Sequence, residues 1–318
     1  MKRKLLFLAL IISMMLILAS CNDDANVHLN FATGGVAGTY YPLGGAMATV
    51  INNRTNINVT TMASGASVDN IQQIRAGDAH IAIVQNDVMS YAFTGTGIWA
   101  AAEREPVTNM ATLMSLYPET VHIVVPANSG IYSVTDLRGR RVSIGDIGSG
   151  VEANALQVLE AYGMSTSDIT VINLGFAPSA DQMRDGALDA FFLTSATPNT
   201  AVMELSTARD LRVLNLSDDA INHLLSNHAF YVRVRVTADD YTFITEPVNT
   251  VAVQATLIAS TDVPEQVAYD IVKALIEGQA EIGHARGAYI NAQNAVQSIS
   301  VDFHPGARRF FREIGVLD

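Results

Sequence analysis

The chain reads as an α/β protein built in two lobes. Three observations predict this. Strand-like and helix-like segments alternate along most of its 318 residues. Two glycine-rich strand-to-helix turns, at 31–45 and 146–150, stand far apart in the sequence. Apolar stretches at 121–126 and 251–258 have the character of strands that leave one lobe and return to it.

The first residues are set apart from that pattern. Lys2-Arg3-Lys4 is followed by an apolar run at 5–18, broken only by Ser13. The run is short for a bilayer span, which needs about 20 residues, and suits a signal peptide. Leu18-Ala19-Ser20-Cys21 resembles a bacterial lipobox, in which cleavage leaves the cysteine as a lipidated N-terminus. The expectation is a signal peptide at 1–20, an acylated Cys21 and a short tether to residue 26. Such a protein would be extracytoplasmic and held to a membrane by its lipid. Cys21 is the only cysteine, so the chain forms no internal disulfide and uses no thiol chemistry.

Net charge narrows the partners. The chain carries a formal charge of −12, and loses three more positive charges with the leader. That argues against nucleic acid and against a polybasic membrane surface. An anionic small ligand remains open, because helix ends next to a ligand outweigh distant, screened charges.

Along the body, residues 27–31 alternate as a half-buried strand. The chain then passes Gly34, Gly35 and Gly38 and enters a predicted helix at 40–51. Pro42 sits in its first turn, where a missing N–H costs nothing. Such a helix start offers free N–H groups and partial positive charge to an anion. A plain turn would show the same glycines, and no Walker or G-x-G-x-x-G pattern is present.

A strand at 57–61 leads to a loop of small residues, then a helix at 68–75 with Ser67 as its N-cap. A buried-type strand at 80–84 ends in Gln85-Asn86-Asp87, which opens the next helix. Three strand ends, near Thr33, Ser64 and Gln85, thus carry small or polar residues and can line one cleft. The segment at 94–105 looks irregular, with Trp99 in a packing role. Runs at 110–117 and 121–126 are separated by Pro118-Glu119.

In the second lobe, a strand at 142–145 runs into Gly148-Ser149-Gly150 and a helix at 151–162. Further strands are expected at 169–174, 190–193, 211–214, 230–236 and 251–258. Asn199 caps one helix, and Asp262-Val263-Pro264-Glu265 starts another, with Asp262 as its capping acid, that runs to about 279. Asp218-Asp219 and Asp239-Asp240 read as solvated turn acids. His304-Pro305-Gly306 begins a terminal helix.

Five segments in this order resemble the solute receptors of TRAP transporters, specifically the TAXI branch. They are TGGVAGTYYPLGGAMA from Thr33, ASGASVDNIQQIRAGDAHIAIVQND from Ala63, SLYPETVHIVV from Ser115, DLRGRRVSIGDIGSG from Asp136 and HPGARRFFREIG from His304. The resemblance implies a two-lobed type II periplasmic-binding-protein fold with a ligand cleft between lobes. It also implies delivery of a small solute to a membrane permease, with no catalytic residue, metal or cofactor. Members resembling this chain bind acidic or amide amino acids, which makes a glutamate- or glutamine-like solute the lead. Two departures bear on the ligand: Val151 stands where the family commonly has Thr, and Ala66 where it often has Gly.

The expected lobes are 27–125 plus 246–318, and 126–245. The expected ligand residues are Gly38, Thr39, Tyr40, Ser64, Ser67, Gln85 and Asp87 from the first lobe and Ser149, Gly150 and Val151 from the second. Tyr40 would cover the ligand, Asp87 would receive an ammonium group, and Gly150 and Val151 would give N–H groups to a carboxylate. With no Arg at the three first-lobe strand ends near Thr33, Ser64 and Gln85, a carboxylate would be held by N–H groups, hydroxyls and water. Two rival classes share the residues. A lipid-anchored hydrolase would use Ser149, although Gly148-Ser149-Gly150-Val151-Glu152 is not G-x-S-x-G. A ligand-sensing lipoprotein would use the same cleft without transport.

Overall fold

The computed structural model describes residues 27–318, so the leader, Cys21 and the tether lie outside the described residues. The first half of the chain alternates β1 (Val27–Ala32), α1 (Tyr40–Arg54), β2 (Ile57–Met62), α2 (Ser67–Ala76), β3 (Ile81–Gln85) and α3 (Asn86–Thr94). A short α4 (Gly97–Ala101) buries Trp99, whose Nε1 donates to the Glu105 carbonyl at 2.9 Å. Next comes β4 (Met110–Pro126), a single long strand.

The middle of the chain holds β5 (Arg141–Ser143), α5 (Gly150–Ala161), β6 (Thr170–Ile172), α6 (Phe176–Arg184), β7 (Ala190–Ser195) and α7 (Thr200–Ala208). It closes with β8 (Leu211–Val213), α8 (Asp218–Asn227) and β9 (Val232–Val236). The second long strand, β10 (Val248–Ser260), returns to the first half, which α9 (Glu265–Glu277), α10 (Ala292–Ala295) and α11 (Pro305–Glu313) complete. Among the described residues, no helix is long and apolar enough to cross a membrane.

The strands lie in the order β2-β1-β3-β10-β4-β7-β5-β6, with β8 beside β4 and β9 beside β10. β1, β2 and β3 are parallel, as are β5, β6 and β7. The long strands β4 and β10 run antiparallel to each other through the centre. Hydrogen bonding is therefore continuous, and it is packing that divides the molecule into two lobes. In β4, Leu113, Leu116 and Tyr117 belong to one apolar core, and Val121, Ile123 and Val125 to another. In β10, Val251 and Val253 join the second core, and Ala255, Leu257 and Ala259 the first. Both long strands change core at the same level.

Four local readings need correction. The runs on either side of Pro118-Glu119 form one strand. Pro118 is accommodated because the register with β10 slips between Thr256↔Ser115 and Gln254↔Pro118, a bulge that relieves it of a ladder N–H. Ser67 is the first residue of α2 and not its cap; the cap position is Ala66, at φ 69°. Asp218 and Asp219 belong to the first turn of α8, whose cap is Ser217. Asp262 does not cap α9, which starts after Pro264.

Candidate functional site

A cavity of about 310 Å³ lies where the two lobes face each other. That is at the small end of the range for small-molecule sites, about 300–1,000 Å³. It is lined by the carboxyl ends of strands and the starts of the helices that follow them. The first lobe contributes the ends of β1, β2 and β3, and the second the ends of β5, β6 and β7.

Asn70 sets the first-lobe wall. It is the fully buried polar residue on the apolar face of α2, beside Ile71 and Ile74. Its Nδ2 donates to the carbonyls of Thr33, at 2.6 Å, and Ile83, at 2.7 Å. Its Oδ1 accepts from Ser64 Oγ at 2.6 Å. One side chain thus ties the ends of β1 and β3 to the loop after β2. Ser67 adds to this by accepting the Gln85 N–H on its Oγ at 3.1 Å.

The second-lobe wall is a turn closed on itself. Ser149 caps α5 by accepting the Glu152 N–H on Oγ at 3.2 Å, and Glu152 Oε2 accepts the Gly148 N–H at 2.7 Å. Gly145 and Gly148 hold φ of +93° and +75°, values that L side chains rarely adopt. The starts of α1, α2, α5 and α6 all reach the cavity, through Tyr40, Ser67, Gly150 and Phe176. Among the described residues, no side chain caps α1, α2 or α6. Each start directs N–H groups and partial positive charge at whatever the cavity holds.

Every expected ligand residue but one lines this cavity: Gly38, Thr39, Tyr40, Ser64, Ser67, Gln85, Ser149, Gly150 and Val151. Asp87 does not. Its carboxylate turns into the packing between lobes, where Oδ1 accepts the Val88 N–H at 2.8 Å and Oδ2 accepts from Asn154 Nδ2 at 3.0 Å. Both oxygens are engaged, and burial pushes its pKa up to about 6.

Residues that sequence reasoning missed are Glu119, Asp146, the α6 start from Gly175 to Pro178, Thr194 and Ser195. Glu119 is 2% exposed and accepts from Tyr40 Oη at 2.7 Å on Oε2. Burial pushes its pKa up to about 8, against the Tyr40 bond, which lowers it. Asp146 is exposed at the rim; partial burial still raises its pKa, opposed by the Gly175 N–H. A carboxylate next to a proline inside an apolar run was the one available signal for Glu119. Thr194 and Ser195 carried none, since their place depends on pairing across the sheet, where Thr120 faces Ser195.

The lobes are in close contact. Val68 N donates to the Gly148 carbonyl across the cleft at 3.2 Å. Gly150 lies so near Gln85 that a Cβ there would overlap the carboxamide. Ala153 of α5 packs into the core formed by α2 and α3. Within the cavity, Gln85 Oε1 and Thr194 Oγ1 are buried and have no hydrogen-bond partner among the described residues. Each such atom costs about 1–3 kcal/mol until something pairs with it.

Comparison with known proteins follows this geometry. Residues 31–315 match the model of the NMT1-like family. Among solved structures, the alkanesulfonate-binding protein SsuA from Xanthomonas axonopodis pv. citri, bound to MOPS, is similar at 15% identity. That match covers 90% of this chain and 83% of SsuA, with a TM-score of 0.53. The periplasmic binding protein BugD matches at 12% identity over 91% of this chain and 93% of its own, with a TM-score of 0.56. An ancestral arginine-binding protein bound to arginine matches at 15% identity over 83% and 96%, with a TM-score of 0.50. The fold is that of the periplasmic binding proteins, two lobes with a cleft between them.

Proposed function

The chain belongs to the NMT1-like family, and from that premise we propose that it is an extracytoplasmic solute receptor that hands a small carboxylate to a membrane permease. One observation carries the reading. Helix starts from both lobes converge on one cavity of ligand size, with buried polar atoms in it that lack partners among the described residues. Helix N-termini suit a carboxylate without any cationic side chain. Solved proteins of this fold include one bound to MOPS and one bound to arginine, ligands that each join an acid group to a nitrogen base.

The finer reading is a TAXI-type receptor of a TRAP transporter, specific for a glutamate- or glutamine-like solute. Its lobes are 27–125 plus 246–318, and 126–245, and an acylated Cys21 tethers it to the membrane. Support comes from the ordered motifs at Thr33, Ala63, Ser115, Asp136 and His304. The cavity favours a receptor over a hydrolase, because Ser149 Oγ accepts the Glu152 N–H as a cap and no histidine is among the described residues that line it.

A thermal-shift screen of amino acids and small carboxylates tests the reading. A ligand at 100 times its Kd stabilises the protein by about 2.7 kcal/mol. For a chain of this size that raises the midpoint by several degrees. A screen in which no member of the class moves the midpoint sinks the receptor reading. Turnover of esters or amides would instead favour the hydrolase, and uptake by cells with the permease separates transport from sensing.

A further inference from the structure

We infer that Glu119 receives the ammonium group of the ligand and makes the site specific for a carboxylate that also bears an amine; this rests on the receptor reading above. Among the described residues that line the cavity, the acidic side chains are the carboxyls of Glu119 and Asp146, and no Lys, Arg or His stands with them. The helix starts can meet one carboxylate. A second negative charge on the ligand would find no counter-charge in the lining. A ligand of no net charge, with an ammonium group beside its carboxylate, matches both features.

Within the cavity, position selects Glu119 over Asp146. Asp146 is exposed at the rim. Glu119 is buried in the middle of β4, at the level where both long strands change core. Its Oε2 accepts from Tyr40 Oη, and its Oε1 accepts from no donor among the described residues. Gln85 Oε1 and Thr194 Oγ1 are likewise unpaired and more than nine-tenths buried. An ammonium group has three N–H donors. The cavity holds acceptors for all of them, whereas Asp87 has both oxygens engaged elsewhere.

Binding then moves a proton. The groups that face Glu119 are Tyr40 from α1, Tyr117 from its own strand and Asp87 from α3, with Arg286 acting on Tyr117. Burial keeps the Glu119 carboxyl protonated at pH 7 in the empty cavity. An arriving ammonium favours the carboxylate. The O–H bond of Glu119 breaks, the proton passes to buffer, and the ammonium keeps its own protons.

Calorimetry on the exported chain tests this with glutamine and with glutaramate, its deaminated analogue. Wild-type protein should bind glutamine more tightly, and Glu119→Gln should lose at least tenfold for glutamine while keeping its affinity for glutaramate. Retained glutaramate binding also certifies the fold of the variant. Should the variant misfold, wild-type protein decides alone. Titrations in two buffers of different ionisation enthalpy should show about one proton released at pH 7, and net uptake near pH 9, where Glu119 is already ionised and part of the free ligand's amine must regain its proton. Unchanged glutamine binding by the variant, glutaramate binding as tight as glutamine in the wild type, or no proton release at pH 7 overturns the inference and leaves the receptor reading standing. If wild-type protein binds no amino acid or small carboxylate at all, both fall.

Discussion

Asp87 Oδ2 accepts a hydrogen bond from Asn154 Nδ2 at 3.0 Å, and this bond joins α3 of one lobe to α5 of the other. Asn154 Nδ2 also donates to Tyr231 Oη at 2.9 Å, and Gln157 Nε2 donates to Tyr91 Oη at 3.0 Å, returning the network to α3. Asp87 and Asn154 are buried, so the pair works where water does not compete. It holds the lobes together from outside the cavity.

Asn154→Leu should therefore weaken glutamine and glutaramate by the same factor, on the order of tenfold, since it costs closure about 1.4 kcal/mol and touches no ligand. Calorimetry on both ligands checks it. A loss confined to glutamine would return Asp87 to the ammonium site.

Gly150→Ala places a Cβ against the Gln85 carboxamide at the tightest approach of the lobes. The closed form should become rarer and the apparent affinity fall about tenfold. Small-angle scattering with saturating ligand should show a larger radius of gyration than wild type. Equal radii would mean that Gln85 simply moves aside.

Stability should fall as pH rises from 6.5 to 8. Glu119 has its pKa raised from 4.5 to about 8, so the folded state holds a proton that the unfolded chain has lost, and folding weakens through that window. Asp87, raised from 3.8 to about 6, acts the same way at lower pH. His122, lowered from 6.5 to about 4 by burial, acts oppositely below 6.5. Above 6.5 Glu119 dominates, with a loss of about 1–2 kcal/mol. Denaturant melts at pH 6.5 and 8 should show it in the wild type, and Glu119→Gln should flatten it.

Cys21→Ala should remove an acyl mass from the mature protein and release it from the membrane fraction. Mass spectrometry and fractionation check this. A wild-type protein without acyl mass sinks the lipid anchor.

Local chemistry was readable wherever one stretch of chain decided the outcome. The β1 strand, the start of α1 at Tyr40, the glycine turn that opens α5 and the His304-Pro305-Gly306 start of α11 each follow from neighbouring residues. The glycine turns and strand ends therefore located most of the cavity. Asp87 stands outside the cavity lining, and in sequence an acid at a helix start looks the same whether it faces a ligand or a neighbouring helix.

Sequence alone determined an α/β chain whose helix starts gather at strand ends, because hydrophobic period, glycine and proline act within a few residues. Tertiary structure alone decided that Glu119 enters the cavity, that Asp87 leaves it, and that Pro118 sits inside an unbroken strand. Those outcomes depend on the register of β4 against β10 and β7, on a bulge, and on how closely Gly150 approaches Gln85. A shift of one residue in that register would turn Glu119 to the opposite face of the sheet, and no local pattern in the chain records it.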